Sequence, residues 1–395
     1  MKILLVHNTY QQRGGEDSVF EAEIKLLSEK GHTIEKMVFD NHSIESVCDK
    51  FLTGIGTIYN SRSGKKIVEL IQHFSPDVIH VHNFFPLVSP AVFYVAKRKQ
   101  IPIVITLHNY RLICANGLLL RKEQVCEDCT NKILPLDGIL HKCYRDSFFQ
   151  SAAVTLMSSV HKLSGTWKNY IDCYIALTKF AKEKFIDSAL KLVPEKVVVK
   201  PNFVSDPGEY KGEREDYFLF VGRLSEEKGI RILLDAFKEG KLKLKIIGDG
   251  PLKKMVKDFS LQHPNIEFLG FREKSYVINT MEKSMALIFP SLWYEGFPVT
   301  IAEAMATGTP VISSNIGSQG EIIADNFNGL LFQCGNLKDL NEKISFFYSN
   351  VAHLKHLYLN ARNSYLENYN PDKNYETLMN IYKHVIANYG TKRNN

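Results

Sequence analysis

Two glutamates eight positions apart, Glu295 and Glu303, stand in the segment Glu295-Gly296-Phe297-Pro298-Val299-Thr300-Ile301-Ala302-Glu303-Ala304. The segment follows the apolar run Ala286-Leu287-Ile288-Phe289 and the turn Pro290-Ser291, and Gly308 and Pro310 close it before the run Pro310-Val311-Ile312-Ser313. A strand, turn, helix and strand frame of this kind puts Pro298 at the first helical position, where its missing N–H costs nothing. The amides of Gly296, Phe297 and Val299 then lie at or just before a helix N-terminus, without intrahelical partners and at the positive end of the dipole. They offer a seat for phosphate or sugar oxygens, and Gly296 lets a ligand come close to the backbone. Glu295 sits in the preceding loop and Glu303 about a turn and a half into the helix, roughly 8 Å along its axis. Two carboxylates so placed can meet different parts of one extended ligand. An isolated glutamate pair more often sits solvated on a helix surface; the frame around this pair favours the ligand.

A second constellation is Phe220-Val221-Gly222-Arg223-Leu224-Ser225-Glu226-Glu227-Lys228-Gly229, directly after an apolar run. Arg223 offers a planar fork and Lys228 a point charge, a combination that suits two adjacent phosphates, with Gly222 giving access to the backbone. Nearer the start, Asn8-Thr9-Tyr10-Gln11-Gln12-Arg13-Gly14-Gly15-Glu16 joins a strand to a helix, and Gly14 and Gly15 would let amides face an anion. Neither this loop nor Gly248-Asp249-Gly250-Pro251 has the dinucleotide spacing Gly-x-Gly-x-x-Gly, and a plain turn accounts for either as well as binding does. His108 ends the run Ile105-Thr106-Leu107, at the carboxyl edge of a strand where ligands of parallel sheets bind.

The elements that must position these groups alternate along the chain. Apolar runs near 2–8, 33–39, 77–83, 101–107 and 173–178, then 217–221, 242–248, 265–269, 285–289, 309–313 and 328–332, are separated by amphipathic stretches. Short, nearly all-apolar strands between helices indicate parallel sheets covered on both faces, hence two doubly wound α/β domains. The break falls between Lys200 and Asp216, where Pro201, Pro207, Gly208 and Gly212 interrupt the pattern. The expected domains are 1–200 and 201–371. Beyond Leu340 the pattern is helical, with Leu378, Ile381, Tyr382 and Ile386 at helical spacing, and a terminal helix over about 372–390 is expected to pack back onto the first domain.

A length of 395 residues fits two cores, and apolar and charged fractions of 45% and 23% are those of ordinary globular chains. The chain enters a strand at Lys2 without a leader pattern and has no apolar run near the roughly 20 residues of a membrane span, so a cytoplasmic location is expected. Residues 1–200 hold 26 Lys and Arg against 20 Asp and Glu, while residues 201–395 hold 23 of each. The basic first half would draw an anionic acceptor or the inner face of an anionic membrane, as a peripheral association. No basic run interleaved with aromatics argues for nucleic acid.

Cys114, Cys126, Cys129 and Cys143 form the pattern Cys-x11-Cys-x2-Cys-x13-Cys. In a cytoplasmic protein it points to a structural tetrahedral zinc site rather than to disulfides. Only Cys126 and Cys129 make a close pair, and four reduced thiols fit the pattern equally well. Cys48, Cys173 and Cys334 read as core or surface residues.

Taken together, these motifs resemble glycosyltransferase family 4, over essentially the whole chain. The resemblance implies the GT-B fold, two Rossmann-like domains facing a central cleft, and retaining transfer from a nucleoside-diphosphate sugar, UDP- or GDP-linked, to a glycan or lipid-linked acceptor. It implies that Glu295 and the amides after it bind the sugar, that Glu303 holds the ribose, and that Arg223 and Lys228 neutralise the diphosphate. Gly14 and Gly15 would line phosphates or acceptor, and His108 would lie near the reacting carbon. The family often has Asp after this histidine, whereas Asn109 stands here. No Asp-x-Asp occurs, so no cofactor is expected for catalysis and leaving-group stabilisation is expected to be metal-free. Two other classes share the topology: a nucleotide-sugar binder without turnover, and an NAD-dependent oxidoreductase, which would need the missing glycine fingerprint.

Overall fold

Alternating apolar runs become the strands of two parallel sheets in the computed structural model, which describes residues 1–9, 14–40 and 56–391. Cys48 and the loop positions 10–13 lie outside the described residues. The chain divides into two units, one formed within 1–119, 126–201 and from 374 onward, the other within 120–125 and 202–373.

In the first unit the strands are β1 (Lys2–Thr9), β2 (Thr33–Asp40), β3 (Val78–Val81), β4 (Ile103–Leu107), β7 (Cys173–Ala176) and β8 (Val197–Val199). They run parallel in the order β2-β1-β3-β4-β7-β8. Between β4 and β7 the chain makes a small antiparallel pair, β5 (Leu120–Arg121) and β6 (Gln124–Val125). Residues of β3, β4 and β7 are buried throughout, as strands covered by helices on both faces must be. The helix Pro371–Thr391 supplies one of those covers: Leu378, Met379, Tyr382 and Val385 pack with Ile3, Leu5, Val104 and Ile175. Each such side chain taken from water contributes roughly 1.5–3 kcal/mol.

In the second unit the strands are β9 (Phe218–Val221), β10 (Leu244–Ile247), β11 (Ile266–Gly270), β12 (Ala286–Phe289), β13 (Val311–Asn315) and β14 (Gly329–Gln333). Their order is β11-β10-β9-β12-β13-β14, again all parallel. Phe218, Phe220, Ile246, Ile288, Leu233 and Phe347 share its core.

Each sheet has one place where the strand order reverses, between β1 and β3 in the first unit and between β9 and β12 in the second. Helices leave such adjacent strands toward opposite faces, which opens a crevice at the strands' carboxyl ends and makes it the binding position of open α/β sheets. Among the described residues, no helix is long and apolar enough to cross a membrane.

Candidate functional site

The reversal in the second unit lies between the loop after β9, which carries Arg223 and Lys228, and the loop after β12, which carries Glu295. The two loops cross in contact. Leu292 N–H donates to Glu227 O at 2.8 Å, and Gly229 passes Pro290 so closely that a Cβ there would stand 2.0 Å from the Pro290 carbonyl oxygen. Gly229 also has φ +70°, so glycine is required on both counts. A third loop locks the first: Leu224 N–H donates to Asp249 O at 2.9 Å, Leu252 N–H donates to Leu224 O at 2.9 Å, and a Cβ on Gly248 would meet Gly222 O at 1.9 Å. The Gly248-Asp249-Gly250 segment is therefore more than a turn; its missing side chains let it pack against the Gly222–Ser225 backbone.

At the crossing, Lys228 Nζ donates to Glu295 Oε1 at 2.6 Å. The same oxygen accepts from Ser291 Oγ at 2.8 Å and from Trp293 Nε1 at 2.9 Å. Glu295 is buried and its carbonyl accepts from Ser318 Oγ at 2.6 Å, so its position is fixed at both ends. The Lys228 ammonium also lies 5.7 Å from the Phe289 ring centroid and 5.6 Å from that of Trp293, within cation–π range. Arg223, by contrast, is exposed.

The helix after Glu295 runs Val299–Ala306 with Pro298 as its N-cap, one residue later than the sequence suggests. Ile301 N–H already donates to Pro298 O at 2.9 Å. Phe297 and Pro298 are buried, while Gly296 and Val299 keep some access to solvent. Glu303 is apart from the Lys228 pair: its carboxylate, 14% exposed, meets Lys274 Nζ at 3.1 Å. Gly308, with φ +65°, turns the chain out of the helix toward β13.

In the first unit the reversal point has a different chemistry. Gly14 caps the helix Gly15–Glu29 with φ −121° and nothing near a would-be Cβ, so no steric demand for glycine exists at Gly14. Its N–H is not turned over to an anion either: it donates to Asp17 Oδ2 at 2.9 Å, and Asp17 Oδ1 holds His7 Nε2 at 2.8 Å. Gly15 begins that helix, also with open space around it.

Behind this loop stands a buried histidine cluster. His82 Nε2 meets Glu23 Oε1 at 3.0 Å, and His82 Nδ1 meets His108 Nε2 at 3.0 Å. His80 Nδ1 lies 3.1 Å from the same Glu23 oxygen and 2.6 Å from Tyr382 Oη, and its Nε2 lies 2.8 Å from Thr106 Oγ1. Lys200, 2% exposed, donates from Nζ to Glu23 Oε2 and to Asn374 Oδ1, both at 3.1 Å. Burial raises the Glu23 carboxyl, but Lys200, His82 and His80 outweigh it and hold the group well below the ordinary carboxylate range. Burial, reinforced by repulsion from His80, brings His82 down to about 4. Burial and then His82 hold His108 well below the usual histidine value.

These directions assign the tautomers. An ionised Glu23 only accepts, so His82 carries its proton on Nε2; a neutral His82 then accepts at Nδ1 from His108 Nε2–H. A neutral His108 is left with an unprotonated Nδ1, a hydrogen-bond acceptor or base at the carboxyl end of β4. Asn109, which follows it, donates to Glu16 Oε2 at 3.5 Å, and its Oδ1 accepts from Arg111 N–H at 3.0 Å. His80, His82 and Glu23 did not stand out in the sequence. The signal was present in Val78-Ile79-His80-Val81-His82, because residues two apart on a strand share a face.

Among the described residues, Glu23, His80 and His82 are the set of three metal-type ligands whose atoms lie within 4.8 Å of one another. Lys200 already neutralises that carboxylate. No three of the four clustered cysteines meet the same spacing. Cys129 is buried, and Cys114 and Cys143 lie close enough to act on it. Burial first and these neighbouring thiols second push Cys129 up to about 12.

Residues 205–364 match the family Glycosyl transferases group 1, and residues 40–206 match Glycosyltransferase Family 4. An uncharacterized glycosyltransferase of Methanocaldococcus jannaschii is 29% identical, with 87% of each chain covered. The lipopolysaccharide 1,6-galactosyltransferase of Escherichia coli is 25% identical over 58% of this chain and 66% of its own. Among solved structures, Anabaena HepE in complex with UDP superposes with TM-score 0.68 at 16% identity, covering 97% of this chain and 100% of that one. The same protein with UDP-glucose gives TM-score 0.64. The two parallel-sheet α/β units have the GT-B fold.

Proposed function

The chain belongs to glycosyltransferase family 4, and we propose that it moves a hexose from a UDP- or GDP-linked donor to a glycan or lipid-linked acceptor, with retention of anomeric configuration and without a catalytic metal. The observation that carries this reading is the Lys228–Glu295 pair, 2.6 Å across, held where the second sheet reverses its strand order. Breaking the anomeric bond sends its electron pair to the departing β-phosphate. Lys228, Arg223 and the amides around Gly296 and Val299 are groups of the right sign for that growing charge; Lys228 is held in place by Glu295, and the exposed Arg223 would turn onto the phosphate as the donor binds. Glu295, clamped by Ser291 and Trp293, is suited to hold sugar hydroxyls. Glu303, further along the helix, is suited to the ribose, and its partner Lys274 is exposed enough to yield. The neutral His108, with Nδ1 free to accept a proton, is suited to the acceptor hydroxyl.

Polysaccharide assembly is the setting that the galactosyltransferase relative supports, and the UDP and UDP-glucose bound by HepE support a uridine donor. A panel of nucleotide sugars tests the reading. One donor should raise the melting temperature and be consumed when acceptor is supplied, and Lys228→Ala or Glu303→Ala should lower transfer at least about tenfold, roughly 1.4 kcal/mol of transition-state stabilisation. Near-normal turnover in both folded variants rejects it.

A structural zinc on Cys114, Cys126, Cys129 and Cys143 is part of the same proposal. Binding of zinc would displace the proton of the buried Cys129 thiol to solvent, and the four sulfurs would have to draw in around the metal. About one equivalent of zinc in protein purified without chelator is expected; less than about half an equivalent contradicts the site.

A further inference from the structure

The helix Phe148–Leu163 is apolar on two sides. Its buried face holds Val154 and Met157 together with Ser151, Thr155, Ser158, Ser159 and His161. Most of the polar groups are satisfied within the unit: Ser158 Oγ donates to Leu112 O at 2.7 Å, Ser159 Oγ to Thr155 O at 2.7 Å, and His161 Nε2 meets Ile58 O at 2.9 Å, while Thr155 Oγ1 has no partner among the described residues. The outward face holds Phe149, Leu156, Val160 and Leu163, with Phe149 80% and Leu163 73% exposed. Spacings of seven, eleven and fourteen residues from Phe149 are close to two, three and four turns, so the four side chains form one stripe. The short helix Leu136–Leu140 packs beside this helix and adds Leu136 and Leu140, the latter 71% exposed. Val154 and Met157 already supply this helix's share of the core, so burial in this unit does not explain the apolar residues turned to water; an exposed apolar surface of this kind marks docking to something apolar.

Charge selects the occupant. The helix Phe148–Leu163 contains no Asp or Glu. Exposed cations border the stripe in sequence, Lys142 and Arg145 before it and Lys168 after it, against one exposed acid, Asp146, while Asp137 of the short helix is paired with Lys132; all lie in the half of the chain that carries the whole basic excess. A protruding apolar stripe with a cationic border matches the acyl and headgroup layers of an anionic bilayer. We propose that Leu136–Leu140 and Phe148–Leu163 form a docking face for an anionic phospholipid surface, with Phe149, Leu163 and Leu140 entering the acyl boundary and Lys142 and Arg145 meeting lipid phosphates. The face is independent of the donor chemistry, so binding is measured without any sugar.

The full chain is mixed with vesicles of phosphatidylcholine alone and of phosphatidylcholine with about one third phosphatidylglycerol, and its partition is read by flotation. Wild type should float with the anionic vesicles and partition at least about tenfold less onto the neutral ones, at roughly fivefold per cation engaged. Phe149→Ser with Leu163→Ser should abolish flotation at an unchanged melting temperature, since both side chains are exposed. Lys142→Glu with Arg145→Glu should remove the preference for anionic lipid, and gives a second variant that leaves the apolar stripe intact. Flotation of both variants like wild type overturns the proposal. So does a wild type that ignores vesicles but sediments as a dimer that Phe149→Ser with Leu163→Ser disperses, which assigns the face to a second copy of the chain.

Discussion

Glu295 Oε1 accepts from Lys228, Ser291 and Trp293 at once, so the carboxylate stays in place when one donor is lost. Loss of Lys228 should therefore act on the ligand's charge more than on the loop, and Glu295→Gln combined with Lys228→Ala should cost less than the sum of the two single changes; strict additivity would show that the pair does not act together. Of the residues that sequence singled out, Lys228 and Glu295 meet each other, Arg223 is exposed, and Glu303 is joined to Lys274 instead. The histidine cluster gives a pH prediction. His82 titrates near 4 in the folded chain against an ordinary 6.5. Its folded value is depressed, so the unfolded chain takes up protons that the folded chain refuses, and stability falls as pH drops from about 6.5 toward 4, by on the order of 3 kcal/mol for this group. His108 moves the same way. The melting temperature should fall steadily from pH 7 to pH 5, and less so in His108→Asn; a flat profile contradicts the burial of neutral imidazoles.

At the scale of elements, the strands were legible because a buried parallel strand is a short apolar run, and the runs near 33–39, 285–289 and 328–332 became Thr33–Asp40, Ala286–Phe289 and Gly329–Gln333. Three short strands were not legible: Val197–Val199 gives only three valines before Lys200-Pro201, and Leu120–Arg121 with Gln124–Val125 has no period to read. Glycines divided in a way that sequence cannot show, because spacing does not tell what stands opposite a missing side chain. Gly229→Ala would set a Cβ 2.0 Å from Pro290 O at φ +70°, and should cost at least about 1–3 kcal/mol and loosen the crossing that holds Lys228 near Glu295. Gly14→Ala meets nothing within 4 Å at φ −121° and should cost no more than about 1 kcal/mol, the preference for glycine over alanine at an N-cap. Thermal melts of the two variants check the contrast, and equal losses would contradict it.

Across the whole molecule, each unit has its own sheet, its own core and its own reversal of strand order, and the chemistry at the two reversal points differs in kind. One presents Lys228 and Arg223, cations suited to a leaving diphosphate; the other is backed by neutral histidines tied to Glu23 and Lys200. The alternation of runs and helices told of two such units, because each crossover must cover a face of its sheet. It could not tell which polar side chains would be drawn together across 177 positions, as Lys200 and Glu23 are. The basic excess of residues 1–200 lies in the part of the chain that also turns Phe149 and Leu163 outward. Cations at the β9 and β12 reversal are proposed to grip a diphosphate, and calorimetric titration of UDP and GDP into wild type, Arg223→Ala and Lys228→Ala decides whether they do. Wild type should bind at least one nucleotide, and each variant should bind it about tenfold more weakly, roughly 1.4 kcal/mol; unchanged affinity in both folded variants would contradict a diphosphate held by these cations.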